Sequence, residues 1–177
     1  MIRWLPILLI SIIACSKPYT MTASLNNTRW YGSGQGQQAL TRQNETCLVK
    51  RFSIGARTDI PYSKVSSTSI KPTGCVKDCL PTQWLDFYNI PLQKGKYNLT
   101  LADSCLPSSV GRAQLLVEEF ASKTSYQFLA NDRGWFEVVQ YNPATGLIKG
   151  KFDLTLTNSN RQTIQLKKGK FNTTIIK

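Results

Sequence analysis

The chain of 177 residues has no histidine, and its 10 acidic residues are outnumbered by 22 lysines and arginines. The missing histidine excludes a histidine-based catalytic triad. No Gly-x-Ser-x-Gly sequence, which would place a nucleophilic serine on a tight turn, is present. The glycine-rich string at residues 31–36 does not open a helical pattern, so it does not predict a phosphate cradle. We therefore predict a protein that is not an enzyme and that needs no cofactor or metal.

Long hydrophobic runs are also missing, since a membrane-spanning helix needs about 20 consecutive apolar residues. The longest apolar stretch, residues 5–13, follows Arg3 and Trp4 and ends at Ala14, directly before Cys15. A charged start, a short apolar stretch and a small residue at its end are the parts of a secretory signal peptide. The sequence thus predicts export.

The sequence Ile12-Ile13-Ala14-Cys15 resembles the lipobox of bacterial lipoproteins. This resemblance implies cleavage after residue 14 and a lipid on the Cys15 thiol. The membrane is then a partner of the chain through this covalently attached lipid. One acyl chain gives marginal membrane binding, whereas two or more anchor a protein stably. The alternative is an ordinary signal peptide that is cleaved elsewhere and leaves Cys15 unmodified.

The residues after Cys15 bear on the location within the envelope. In the lipoproteins that the chain resembles, Ser16 rather than Asp after the cysteine goes with sorting to the outer membrane. No acidic cluster follows of the kind that sends some Bacteroidota lipoproteins to the cell surface. We expect a lipid-anchored outer-membrane protein on the periplasmic face, where nucleic acid is not a partner.

The chain divides into a signal peptide (residues 1–14), a lipidated tether (15–25) and one domain (26–177). Residues 16–25 are polar, contain Pro18 and lack periodicity, so they predict a tether of roughly 30 Å when extended. The remaining length and the hydrophobic content of 41% suit one globular domain with a real core.

Four cysteines remain besides Cys15, and an even number in an exported chain favours two disulfides. Four cysteines allow three connectivities, of which we favour Cys75–Cys79 with Cys47–Cys105. The alternative is a metal site built on Cys75 and Cys79 with the other two thiols, which the missing histidine and the predicted compartment disfavour.

The hydrophobic pattern predicts an all-β fold, a single antiparallel β-sandwich or partly closed barrel. Its clearest part is residues 148–157, where Ile148, Phe152 and Leu154 alternate with polar residues at period two. Residues 113–120 suit a helix or a strand, and we favour a strand. The other predicted strands cover residues 29–31, 38–42, 47–56, 84–90, 97–102, 126–130, 135–141, a strand through Ile164 and Leu166, and, after a bend at Lys168-Gly169, residues 171–175.

Basic residues are concentrated toward the carboxyl end of the chain. From residue 149 onward, Asp153 is the only acidic residue. A positive field of this kind favours an anionic partner, here envelope lipid, glycan or protein. The alternative is a solvated strand face on which lysines discourage edge pairing. The candidate binding residues are Lys149, Lys151, Lys167, Lys168 and Lys170.

Glycine-x-aromatic sequences recur through the chain and underlie a broader resemblance. They include Gly95-Lys96-Tyr97, Gly134-Trp135-Phe136, Gly150-Lys151-Phe152 and Gly169-Lys170-Phe171. With residues 28–32 and 86–91, they resemble the small all-β lipoproteins of Bacteroidota, a family of unknown function without known catalytic residues. Each glycine is expected to form a turn or bulge before a strand that buries the aromatic ring. The basic charge and the cysteines depart from the family pattern.

Two binding functions follow from these patterns. The first is a lipid-anchored envelope protein with a non-enzymatic binding or assembly role. The second is a carrier, since residues 25–31 resemble the first strand of lipocalin-like barrels, in which a tryptophan such as Trp30 closes one end. That resemblance implies a small apolar ligand inside the barrel.

Overall fold

A computed structural model describes residues 19–38, 50–62, 74, 80–101, 112–119 and 122–176. The predicted signal peptide and all the cysteines that we singled out lie outside the described residues, so lipidation and the disulfides stay predictions. Those cysteines are Cys15, Cys47, Cys75, Cys79 and Cys105.

Within the described ranges the chain forms strands and no helix. Accordingly, no helix in these ranges has the length and apolarity to cross a bilayer. The strands are β1 (Met21–Leu25), β2 (Thr28–Gly32), β3 (Gly36–Gln38), β4 (Arg51–Thr58), β5 (Gln83–Pro91), β6 (Gly95–Asn98), β7 (Ala113–Glu119), β8 (Ser122–Gln127), β9 (Gly134–Tyr141), β10 (Leu147–Asn158) and β11 (Thr163–Ile176).

All strands belong to one sheet in the order β2-β1-β11-β3-β4-β5-β7-β8-β10-β9-β6, and an additional β10–β11 pairing closes a ring. The ring passes through β11, β3, β4, β5, β7, β8 and β10. Strands β1 and β2 extend the sheet beside β11, and β9 and β6 extend it beside β10. The predicted all-β sandwich or partly closed barrel is confirmed. One pairing, β11 with β3, is parallel, so the sheet is mixed rather than purely antiparallel.

The interior is filled by inward-facing side chains that alternate with polar ones along the long strands, as period two requires. Five phenylalanines form its centre: Phe52, Phe87, Phe136, Phe152 and Phe171. Their ring centroids lie 4.7 to 6.4 Å apart, within the range of favourable aromatic contacts.

The glycines of β10 and β11 serve close packing rather than turns. Gly150 lies opposite Phe171, and Gly169 lies opposite Phe152. A Cβ at position 150 would stand 2.2 Å from Phe171 Cζ, and one at position 169 would stand 2.4 Å from Phe152 Cε2. Each glycine therefore makes room for the ring of the facing strand, so the expected turns are wrong. The expected bulges are present, since the β9–β10 register shifts between Lys149 and Gly150 and the β10–β11 register shifts directly beside Gly169.

The predicted tether is too long. Residues 21–25 form strand β1, whose Met21 and Leu25 are buried. Strand β1 pairs with β2 through a two-residue turn in which Asn26 and Asn27 both have positive φ, the conformation that asparagine tolerates best after glycine. A five-residue strand with buried residues only at its ends shows no alternation, so the sequence pattern missed it.

The predicted bend at Lys168-Gly169 is also wrong, because β11 runs unbroken from Thr163 to Ile176. The β10–β11 register shifts between Phe152 and Leu154, so that Lys167 and Lys168 lie between the partners of these two residues. Lys168 has a φ of 53°. A bulge within one long strand therefore replaces the bend.

Shorter strands differ from prediction mainly at their ends. Strand β6 ends at Asn98 rather than at residue 102, and β8 covers Ser122–Gln127 rather than residues 126–130. Of the strand predicted at 38–42, only residue 38 is described, and it is the last residue of β3; of the strand predicted at 47–56, residues 51–56 belong to β4. Residues 113–119 form β7, so the strand that we favoured there is confirmed.

Candidate functional site

The five candidate lysines lie on β10 and β11, which pair along most of their length. Lys151, Lys167, Lys168 and Lys170 are exposed, and Lys149 is half-buried. All five occupy outward positions because the alternate residues of both strands fill the core. The structure therefore brings the predicted residues together on one surface, here called the basic face.

Lys151 and Lys170 lie directly opposite each other on the basic face. Like charges at facing positions of an antiparallel pair destabilise the pair. Lys149 continues the face along β10, where it lies opposite Asn172. The positive potential is thus concentrated at the middle of the β10–β11 ribbon.

The β11 bulge adds two more charges to the face. Lys167 and Lys168 stand in the register opposite Asp153, so two cations oppose one carboxylate. On the neighbouring strand, Lys167 is the partner of Ser24. A regular strand would have turned one of two consecutive lysines toward the core, and the bulge keeps both exposed.

Acidic residues offset only part of this charge. On strands β1, β2, β6, β9, β10 and β11, the acidic residues are Glu137 and Asp153. Glu137 lies between Lys151 of β10 and Lys96 of β6. Lys96 also places its ammonium nitrogen 4.1 Å from the centroid of the Trp135 ring, a cation–π contact. The basic face therefore keeps a clear positive excess.

Sequence reasoning missed the contribution of the amino-terminal hairpin to this surface. The Arg29 guanidinium lies 5.5 Å from the centroid of the Tyr31 ring and 5.9 Å from that of Tyr19. Its Nη2 donates a hydrogen bond of 3.2 Å to the Tyr19 hydroxyl. The two rings are 5.3 Å apart, so they hold the guanidinium in place. Arg29 adds a positioned cation to the basic face.

A groove of about 600 Å³ joins this cluster to the lysines of β11. It is lined by Tyr19, Thr22, Ser24, Arg29, Lys168 and Lys170, among others. The pairing of β1 with β11 builds the groove, since Thr22 lies opposite Lys170. No sequence signal linked Arg29 to lysines more than a hundred residues away, because β1 was not predicted.

Trp30 lies in the core, with 1% of its surface exposed. Its indole N–H donates a hydrogen bond of 3.1 Å to Gln83 Oε1. Gln83 in turn donates from Nε2 to the Ile60 carbonyl at 2.7 Å. A buried tryptophan needs a partner for its N–H, and this link between β2 and β5 supplies it.

No protein-family model, no curated protein and no solved structure matches the chain. The resemblance to Bacteroidota lipoproteins stays a prediction from the sequence. Among the described residues, no group of three or more histidines, cysteines and carboxylates is placed to hold a metal ion. The basic face is the candidate site that both the sequence and the geometry bring forward.

Proposed function

We propose that the protein is a lipid-anchored, non-enzymatic envelope protein whose basic face binds the anionic surface of the membrane that carries it. The observation that supports this proposal is the pair Lys151 and Lys170, which face each other at the centre of the exposed lysine cluster. Facing cations cost stability in the free protein, and an anionic surface removes that cost.

The small number of residues between Cys15 and the described domain supports an orientation with the basic face toward the membrane. Cys15 precedes Tyr19 by four residues, a distance of at most about 14 Å along an extended chain. Tyr19 lines the groove with Arg29, Lys168 and Lys170. A lipid on Cys15 would therefore hold Tyr19, at the edge of the basic face, within about two Debye lengths of the headgroups at physiological ionic strength.

Lipid and charge together form a two-part anchor. The two acyl chains expected on Cys15 anchor a protein stably, and each basic residue near an anionic leaflet contributes about 1 kcal/mol in addition. Several basic residues on one face thus add enough energy to fix how the domain lies on the membrane. The role that follows is binding or assembly at the envelope surface.

The second function, an apolar carrier, receives no support from the described residues. The phenylalanine cluster fills the barrel interior, and Trp30 is packed and hydrogen-bonded within it. The envelope-binding role is therefore the one function that we propose.

Co-sedimentation with vesicles tests the proposed binding. The mature chain with Cys15→Ser, exported so that its thiols meet an oxidising compartment, should bind vesicles containing anionic phospholipid. Binding should weaken as salt rises and be lost on neutral phosphatidylcholine vesicles. Lys151→Gln with Lys170→Gln should weaken binding by about 30-fold, which corresponds to about 2 kcal/mol for two residues.

A matched double variant controls for net charge. Lys50 and Lys123 are exposed and lie outside β10 and β11, so Lys50→Gln with Lys123→Gln removes the same charge elsewhere. This control should bind nearly as well as the parent chain. Equal loss in both double variants, or binding that is indifferent to salt and lipid charge, would contradict the proposal.

A further inference from the structure

A second surface site lies outside the basic face, on the outer side of β3, β4 and β5. It is a cleft of about 620 Å³, a volume within the usual range for small-molecule sites. Its polar lining includes Gln35, Gln37, Ser53, Arg57, Asp86 and Tyr88. The lysines of the basic face do not line it, so the cleft and the lysines can be varied separately.

Alternation along β4 and β5 builds the cleft. Asp86 lies opposite Gly55, and both occupy outward positions between buried neighbours. A Cβ at position 55 would stand 2.2 Å from Asp86 Oδ1, so the carboxylate lies across the strand where a side chain would otherwise be. Glycine at position 55 lets the β4 backbone form the floor of the cleft beneath Asp86.

The charged groups of the cleft compensate each other. Burial raises the pKa of Asp86, while the positive charge of Arg57 and a hydrogen bond from the Tyr88 hydroxyl oppose this rise. Burial, the Asp86 charge and the same hydrogen bond raise the pKa of Tyr88 to about 12. Tyr88 therefore stays a donor at physiological pH, and Asp86 an acceptor with spare lone pairs.

These groups select a neutral ligand that both donates and accepts hydrogen bonds. Arg57 and Asp86 offset each other, so a ligand of either charge gains little from the cleft as a whole. The guanidinium, the carboxylate, two amides and four hydroxyls together match a ligand that carries several hydroxyl groups. An apolar ligand would displace water from these polar groups without replacing its hydrogen bonds, at a cost in free energy.

We propose that this cleft binds a segment of neutral saccharide, with Asp86 accepting and Arg57 donating hydrogen bonds to sugar hydroxyls. Gln37 is exposed at the same site and extends the reach of the cleft to a neighbouring sugar ring. The proposal does not depend on lipidation or on the basic face. It gives the protein a second contact, with glycan, beside the one with lipid.

Isothermal titration calorimetry with the full chain tests the proposal. The chain is purified with its own leader processed, in a detergent without a sugar head group, and titrated with maltotriose, cellotriose and chitotriose. At least one of these neutral trisaccharides should bind saturably at millimolar or lower concentration. Asp86→Asn and Arg57→Gln should each weaken that binding at least tenfold, with an unchanged far-ultraviolet circular dichroism spectrum.

Two further variants keep the result interpretable. Gln37→Ala changes an exposed side chain and should weaken binding a fewfold even if a variant at Asp86 or Arg57 folds poorly. Lys151→Gln with Lys170→Gln should leave saccharide binding unchanged, whereas Asp86→Asn should leave vesicle binding unchanged. Absence of binding by all three trisaccharides, binding indifferent to changes at Asp86, Arg57 and Gln37, or a preference for a charged trigalacturonate probe would each overturn the proposal.

Discussion

Gly169 of β11 faces Phe152 of β10, and a Cβ on this glycine would stand 2.4 Å from the phenylalanine ring. Phe152 is fully buried and packs against the rings of Phe87 and Phe136, so its ring can yield only by displacing its neighbours. We predict that Gly169→Ala lowers the free energy of unfolding by about 1–3 kcal/mol, the usual cost of overpacking a core. Urea denaturation of the parent and variant chains measures this difference in the free energy of unfolding.

A double-mutant cycle separates this contact from other effects at position 169. Phe152→Leu creates space beneath position 169, so it should relieve part of the cost of Gly169→Ala. The double variant should be less destabilised than the sum of the two single variants. Strict additivity would show that the ring does not cause the destabilisation.

The buried link between Trp30 and Gln83 gives a second prediction. Gln83→Met keeps a similar volume but leaves the Trp30 N–H without its partner. The Ile60 carbonyl keeps the hydrogen bond from Thr82, so the buried group left without a hydrogen bond is mainly the Trp30 N–H. We expect the free energy of unfolding to fall by about 1–3 kcal/mol. The exposed Gln165→Met serves as the control and should stay within about 0.5 kcal/mol.

Asp86 gives a prediction about pH. Its folded-state pKa is raised above the ordinary value, chiefly by burial, so the folded chain holds this proton more tightly than the unfolded chain does. Stability from Asp86 is therefore greatest at low pH and falls as pH rises from the unfolded pKa through the folded pKa. Asp86→Asn should melt a few degrees above the parent at pH 7, and the two should converge near pH 3. Scanning calorimetry across this range gives the comparison; a parent that is the more stable chain at pH 7 would contradict the assignment.

The short tether predicts a dependence on spacing. Inserting about 20 flexible Gly/Ser residues between Pro18 and Tyr19 lowers the effective concentration of the basic face at the membrane by about tenfold. Lys170 of the anchored protein should then react more readily with an amine-labelling reagent on anionic vesicles. Neutral vesicles are the control, on which the insertion should not change the labelling.

Sequence reasoning succeeded where a pattern was long enough to be distinctive. The twelve residues of β10 alternate through their whole length, so their inward and outward faces were predictable. Once the outward face was known, Lys149 and Lys151 could be placed on it. The same reasoning favoured a strand at residues 113–120, with less to distinguish it from a helix, and residues 113–119 form β7.

Features that depend on the register between distant strands could not be predicted from the sequence. The pairing of β1 with β11 brings Arg29 and Tyr19 to Lys170, and five residues of β1 carry no readable period. The cleft depends on Gly55 standing opposite Asp86, which follows from the β4–β5 register and its irregularity near Phe52. The roles of Gly150 and Gly169 were likewise hidden, because a glycine before an aromatic residue is also typical of turns.

Intact-mass spectrometry of the protein extracted from native membranes tests the central claim, anchoring through Cys15, most directly. The account predicts a chain that begins at Cys15, carries a diacylglyceryl group on its sulfur, and loses that added mass when Cys15→Ser is expressed in its place. An amino terminus at Met1, or a processed chain with a free Cys15 thiol, would contradict the lipid anchor and the orientation of the basic face that follows from it.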